Sequence, residues 1–213
     1  EVRPLVDAIN RLMQRVGTSL DAERRFTADA AHELRTPLAA TRANAQVLLG
    51  ARNPQERERT ALDLLASVDR STRLVDQLLA LARADRPFEP ARLRDVDLAT
   101  LAREQIETHL NDARRRGVTL TGELEAAVLR GDPALLAVML RNLIDNALRY
   151  TPAPGAVLVT TALRDGTAEI TVRDSGPGIP PDQRQRVFER FHRLTGSGAM
   201  GSGLGLSIVQ RIV

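Results

Sequence analysis

Residues 61–82 read Ala61-Leu62-Asp63-Leu64-Leu65-Ala66-Ser67-Val68-Asp69-Arg70-Ser71-Thr72-Arg73-Leu74-Val75-Asp76-Gln77-Leu78-Leu79-Ala80-Leu81-Ala82, and their spacing decides the fold of the first part of the chain. Ala61, Leu65, Val68, Thr72, Val75, Leu79 and Ala82 follow at alternating steps of four and three, a heptad seam on one side of a helix. Leu64, Leu74, Leu78 and Leu81 widen that seam beyond a strict stripe. Towards the N-terminus, Gly50-Ala51-Arg52-Asn53-Pro54 breaks the pattern. Before the break, Leu34, Leu38, Thr41, Ala45 and Leu48 carry the same period. The two stretches predict a long helical hairpin. One hairpin cannot cover so wide an apolar face, so two copies are expected to pair as a four-helix bundle, a homodimer. Earlier still, the spacing of Leu5, Ile9, Leu12 and Val16 makes residues 1–20 a coiled lead-in to the first long helix.

Towards the C-terminus, Arg86-Pro87-Phe88-Glu89-Pro90 ends the helical part, because two prolines three apart cannot sit inside a helix. Residues 87–90 are thus the linker between a hairpin of residues 21–86 and a second domain of residues 91–213. There the pattern changes. Val96-Asp97-Leu98 is a short strand or a helix entry, a helix follows from about 99 to 116, and Gly117 ends it. Val118-Thr119-Leu120 has the look of a strand. Asp132-Pro133 is a helix start, an N-cap followed by proline at the first helical position, and that helix should stop before Pro152. Val157–Leu163 and Ala168–Arg173 alternate as two strands joined through Arg164-Asp165-Gly166-Thr167. The fold class expected is α plus α/β: the helical hairpin, then an α/β sandwich with helices on one face of a mixed sheet.

Composition excludes much. The chain has 213 residues, with 30 basic side chains against 27 acidic ones, and a net charge of +3. Every basic residue is Arg. Without Lys there is no P-loop and no Schiff base; without Cys there is no thiol nucleophile, disulfide or cysteine zinc site. His32, His109 and His192 stand far apart and show no metal-ligand spacing. Interleaved charges and only five aromatic residues argue against nucleic acid as a partner. No apolar run reaches the roughly 18 residues of a membrane span, so no membrane contact is expected in this stretch. The first residue is not Met, which predicts a piece of something longer.

Four constellations carry chemistry. In Phe26-Thr27-Ala28-Asp29-Ala30-Ala31-His32-Glu33-Leu34-Arg35-Thr36-Pro37-Leu38, His32 lies about 200° round the helix from Leu34 and so faces solvent. Thr36 is one turn later on the same face. Pro37 lacks the N–H that would bond the Glu33 carbonyl, which predicts a bend or loosening there. An exposed imidazole beside a carboxylate can be a nucleophile with its base. In Arg141-Asn142-Leu143-Ile144-Asp145-Asn146-Ala147-Leu148-Arg149-Tyr150, Asn142 and Asn146 stack one turn apart. Neutral oxygen donors on one face suit Mg2+ shared with phosphates. Asp174-Ser175-Gly176-Pro177-Gly178-Ile179-Pro180 lets backbone approach a flat ligand while Asp174 accepts from an exocyclic amine. Gly201-Ser202-Gly203-Leu204-Gly205-Leu206-Ser207 opens a helix with N–H groups fit to cradle phosphate. Each alone is also an ordinary feature: a surface histidine, a helix with two solvated amides, a turn after a strand, a glycine-rich loop.

Their order and spacing are not ordinary. His-Glu-x-x-Thr-Pro, Asn-x-x-x-Asn, Asp-x-Gly-x-Gly, Arg-Val-Phe-Glu-Arg-Phe and Gly-x-Gly-x-Gly-Leu together make the whole chain resemble the sensor histidine kinases of two-component systems. Residues 1–20 resemble the end of a HAMP signal-relay module, with Pro4 and Asn10 in keeping. Residues 21–86 are similar to the HisKA dimerisation and phosphotransfer hairpin, and 91–213 to the ATP-binding domain of the GHKL superfamily. The resemblance implies that His32 accepts the γ-phosphoryl group with Glu33 as general base, and that Thr36 positions water to dephosphorylate a response regulator. It implies ATP and Mg2+, with Asn142 and Asn146 as the N box and Asn146 as the metal ligand. Arg149 would meet phosphate oxygens, Tyr150 would stack near the adenine, and Asp174, Gly176, Gly178 and Ile179 would form its pocket. Phe188, Arg190 and Phe191 match the F box, residues from about 180 to 202 the ATP lid, and Gly201, Gly203, Leu204, Gly205 and Leu206 the phosphate loop. The partner implied is the receiver domain of a response regulator. The protein implied is the cytoplasmic portion of a bacterial inner-membrane sensor.

Two departures stand out. Position 149 is more often Lys or His in that family, and Arg keeps the charge without the same contacts. The family also continues with two more strands after the helix in which Val213 falls. Two rivals compete with kinase activity. An ATP hydrolase of the chaperone or topoisomerase kind carries a Glu four residues before its Mg2+-binding Asn, where this chain has Asn142, which is no base. A non-catalytic relay would need none of these residues.

Overall fold

The computed structural model describes residues 3–51, 53–84, 92–193 and 202–213. The expected linker at 87–90 and the loop glycine Gly201 lie outside the described residues, as do the side chains of Pro4, Leu5, Ile9 and Asn10. The chain forms two compact units, Glu1–Val75 and Asp76–Val213.

The first unit is helical. Helix α1, Arg3–Gly50, runs unbroken through Pro37. The hydroxyl of Thr41 donates to the Pro37 carbonyl at 2.9 Å. Helix α2, Pro54–Ala84, starts at an Asn53 cap whose side-chain oxygen accepts from the Glu56 N–H at 2.7 Å, with proline at the first helical position. Asn44 of α1 donates to the Ser67 hydroxyl of α2 at 3.3 Å, and Ser67 is fully buried. The α1-facing side of α2 is therefore the row of Thr60, Leu64, Ser67, Ser71 and Leu74, itself spaced by four and three.

That row lies one residue away from the seam counted in the sequence. Leu65, Val68 and Val75 point outward, 59 %, 43 % and 42 % exposed in the single chain. The inner row escaped the count because Thr60, Ser67 and Ser71 are not apolar; a serine hydroxyl can turn inward where backbone or side-chain partners satisfy it. Ser67 and Ser71, for example, donate to the carbonyls four residues earlier. The apolar surface of α2 is thus two seams wide.

The second unit is α/β. In it, β1 (Arg94–Asp97) leads into α3 (Leu98–Arg115), then β2 (Val118–Leu124), β3 (Val128–Gly131), α4 (Pro133–Tyr150), β4 (Gly155–Arg164), β5 (Thr167–Asp174) and α5 (Gly205–Ile212). Strands β2, β4 and β5 form a mixed sheet: β2 runs parallel to β4, β4 antiparallel to β5. The β4–β5 hairpin turns through Asp165 and Gly166, both at positive φ (50° and 77°), as a two-residue primed turn requires. The open choice at Val96–Leu98 resolves as both a strand and a helix entry. Strand β1 pairs with β3, which sequence alone did not show, and Asp97 then caps α3.

The caps explain these boundaries. The Asp97 carboxylate accepts from the N–H groups of Ala99 (3.2 Å) and Ala127 (3.1 Å) and from the Thr100 hydroxyl (2.9 Å). The Ala127 N–H first, then the Thr100 hydroxyl, hold its pKa below the ordinary carboxylate value. Asp132 accepts from Ala134 and Leu135 ahead of Pro133, as the Asp-Pro pair predicts. Between helices and sheet lies one core: Leu98, Leu101 and Ala102 of α3, Leu140, Ile144 and Leu148 of α4, and Val118, Leu120, Val157 and Val159 of the strands.

Candidate functional site

His32 sits on α1 and is exposed, with Thr36 exposed one turn later and Glu33 half-buried between them. Ala30, two residues before His32, is buried, which fixes the solvent side of the helix as the side of His32 and Thr36. The outward imidazole follows from the helical period.

In the second unit, α4 carries the two asparagines. They are not alike. Asn142 is only 2 % exposed; its NH2 donates to the Val138 carbonyl at 2.9 Å and its oxygen accepts from the Gln77 amide at 2.6 Å. Asn146 is half-buried and its amide has no hydrogen-bond partner among the described residues. The first turn of α5 lies directly over both. A Cβ at Gly205 would stand 3.3 Å from the Asn142 oxygen and 3.4 Å from the Asn146 nitrogen. The glycine is what lets backbone come down on the two amides. Leu204, fully buried, anchors the turn from below, while Leu206 is half-buried.

The same turn meets the Arg186–Phe188 region. The Phe191 N–H donates to the Gly203 carbonyl at 3.0 Å, and a Cβ at Gly203 would fall 2.6 Å from the Phe191 carbonyl carbon. Gly203 (φ +69°) and Phe191 (φ +61°) both occupy the left-handed region. Phe188 is 37 % exposed, Phe191 is half-buried and Arg190 is exposed.

A third group lies at the end of β5. Asp174 is exposed, and its carboxylate accepts from the Gly176 N–H at 2.8 Å. A Cβ at Gly176 would lie 2.7 Å from the Tyr150 carbonyl, so only glycine lets this turn close against the end of α4. Gly178 (φ +72°) has open space around it, and Ile179 is 37 % exposed. Arg149 and Tyr150, both half-buried, end α4 beside this turn.

Two side chains make contacts that were not visible in the sequence. His109 of α3 is 7 % exposed; its Nδ1 lies 2.6 Å from the Gln105 carbonyl and its Nε2 3.2 Å from the Asp145 carboxylate. Burial pulls its pKa down, but the Asp145 hydrogen bond and charge and the Gln105 carbonyl outweigh it, and the net shift is upward. Both ring nitrogens face acceptors, the arrangement of an imidazolium. Gln77 of α2, within the second unit, reaches Asn142 and also accepts from the Ser202 hydroxyl at 2.9 Å. A lone Gln on a heptad helix carries no signal of either.

Comparison with known proteins bears on what this arrangement is. Residues 22–87 match the HisKA phospho-acceptor domain, and residues 131–213 match the histidine kinase-, DNA gyrase B- and HSP90-like ATPase domain. The sensor protein QseC of Salmonella typhi is 42 % identical over the whole of this chain, which covers 47 % of QseC. The chain belongs to the two-component sensor histidine kinases. Its fold is that of solved histidine kinases. Full-length ShkA in complex with AMPPNP superposes with a TM-score of 0.62 at 29 % identity, over 89 % of this chain and 40 % of that one. Histidine kinase ThkA in complex with response regulator TrrA gives a TM-score of 0.65 at 21 % identity, over 92 % of this chain and 56 % of that one. This histidine kinase chain spans about half the length of the curated relatives it matches. No described helix is long and apolar enough to cross a membrane.

Proposed function

We infer that the chain uses ATP to phosphorylate His32 and passes the phosphoryl group to an aspartate of a response regulator. The observation that supports this most is the seating of the Gly203–Gly205 turn on Asn142 and Asn146, which brings the start of α5 against the Asn146 amide, a group with no hydrogen-bond partner among the described residues. An α5 N-terminus is suited to phosphate oxygens. Asn146 fits Mg2+, an ion that keeps several waters and needs few protein ligands. When bound there, Mg2+ would offset charge on the phosphates. Arg149, Phe188, Arg190 and Phe191, with Leu204 and Leu206 of the turn, would complete the phosphate side. Asp174, Gly176, Gly178 and Ile179, with Tyr150 near them, would hold the adenine.

In the transfer, an imidazole nitrogen of His32 forms a bond to the γ-phosphorus while the bond from that phosphorus to the β–γ bridging oxygen breaks and ADP leaves. The imidazole proton passes to Glu33. Thr36 would act in the reverse sense, orienting water to hydrolyse the phosphorylated regulator, a partner class that ThkA has in TrrA. The outward stripe of Leu65, Val68 and Val75 would be covered by a second copy, giving the dimeric four-helix bundle. Residues 21–86 and 91–213 would be the phosphotransfer and ATP-binding domains, residues 1–20 the end of a HAMP relay, and the whole protein a membrane sensor with this part in the cytoplasm.

Incubation with γ-labelled ATP and Mg2+ tests the reaction class. Label on the protein is expected. Free phosphate without labelled protein would mean a hydrolase, and neither product would mean a non-catalytic relay.

A further inference from the structure

Asn142 is nine-tenths buried, yet the group that satisfies its oxygen comes from outside its helix. Gln77 supplies it, 65 residues earlier in the chain. The Gln77 amide is used at both ends: its NH2 donates to Asn142 at 2.6 Å and its oxygen accepts from the Ser202 hydroxyl at 2.9 Å. Ser202 also accepts from the Leu204 N–H at 3.3 Å, within the turn that rests on the two asparagines. Beside this chain, Arg141 and Asp76 form an ion pair at 3.5 Å. All these residues lie in the Asp76–Val213 unit.

We propose that Gln77 is a positioning residue of the nucleotide site, tying Asn142 to Ser202 so that the Gly203–Gly205 turn is held over Asn146. Gln77 itself meets no nucleotide. The amide suits this place, because it offers a donor towards Asn142 and an acceptor towards Ser202 on one planar group. Glutamate at position 77 keeps the acceptor and turns the other contact into two facing oxygens. Asn142 cannot turn its amide over in reply, since its NH2 is held by the Val138 carbonyl. The assignment rests on the ATP-binding reading above. It adds that the last turns of α2 control the phosphate end of the site and leave the adenine end alone.

The test is binding of Mg·ATP and of adenosine to the full chain, by competition with a fluorescent ATP analogue, with thermal melting as the folding control. Loss of such a bonded pair corresponds to about a fivefold change. Gln77→Ala and Ser202→Ala should each weaken Mg·ATP by about that factor and leave adenosine unchanged. The double variant should be no weaker than the worse single one, because both substitutions break the same tie. Gln77→Glu, of the same size, should weaken Mg·ATP at least as much and carries the test if Gln77→Ala fails to fold. Unchanged Mg·ATP binding, multiplicative losses in the double variant, or equal loss of ATP and adenosine would each overturn the proposal. If the unsubstituted chain binds no Mg·ATP, the nucleotide site itself is wrong, and the tie falls with it.

Discussion

Asn142 and Asn146 are one helical turn apart, yet only the second keeps a free amide among the described residues. The sequence showed that they share a face; it did not show which is spent on the protein, because the partner of Asn142 comes from a distant helix. A metal role for Asn146 therefore has a specific signature. Asn146→Ala should weaken Mg·ATP binding at least tenfold while barely changing ATP binding in EDTA, by calorimetry; equal losses would make Asn146 structural. His109 yields a second prediction. Its pKa is raised above the ordinary 6.5, so the Asp145 pair stabilises fully at pH below that value and is lost as pH rises through the folded-state pKa. Tm should thus fall more steeply above about pH 6.5 in the native chain than in His109→Gln. Parallel pH profiles would contradict the pair. Nothing in the sequence marked His109, since a buried histidine on an amphipathic helix shows only the apolar period around it.

At the scale of elements, heptad counting found both long helices and the break between them. It placed the seam of α2 on the outer side because it counts only apolar side chains, and the inner row alternates Thr60, Ser67 and Ser71 with Leu64 and Leu74. The outward row is the more demanding surface. Val68→Glu puts an unpaired charge where a second copy would bury it, at a cost of several kcal/mol. The variant should sediment as a monomer at micromolar concentration and lose autophosphorylation, while retaining Mg·ATP binding. A monomeric native chain would contradict the bundle. The exposed face of α1 permits a separation of activities: Thr36→Ala should keep autophosphorylation within about threefold and slow dephosphorylation of the regulator about tenfold or more, since Thr36 takes no proton from His32. If both fall together, Thr36 positions His32. Short elements were the hardest to read. Strand β3 has four residues, Val128–Gly131, too few for a period, and it exists because β1 pairs with it.

At the scale of the molecule, the division into a helical part and an α/β part was legible from proline and glycine placement and from the change of period. The glycine motifs were legible too, for a physical reason the structure supplies: Gly176 and Gly203 stand where a Cβ would strike backbone, and Gly205 where it would crowd the asparagine amides. Side-chain ties across the fold, such as Gln77 to Ser202 and His109 to Asp145, were not, because local spacing does not encode them. The account stands on one claim above the others, that the exposed His32 receives the γ-phosphoryl group. The most direct measurement is the chemistry and location of the bond formed with γ-labelled ATP and Mg2+. A phosphoramidate should form, labile in acid and stable in base, and His32→Ala should lose essentially all label while keeping its affinity for Mg·ATP. Label that survives acid, or that persists in His32→Ala, would contradict it.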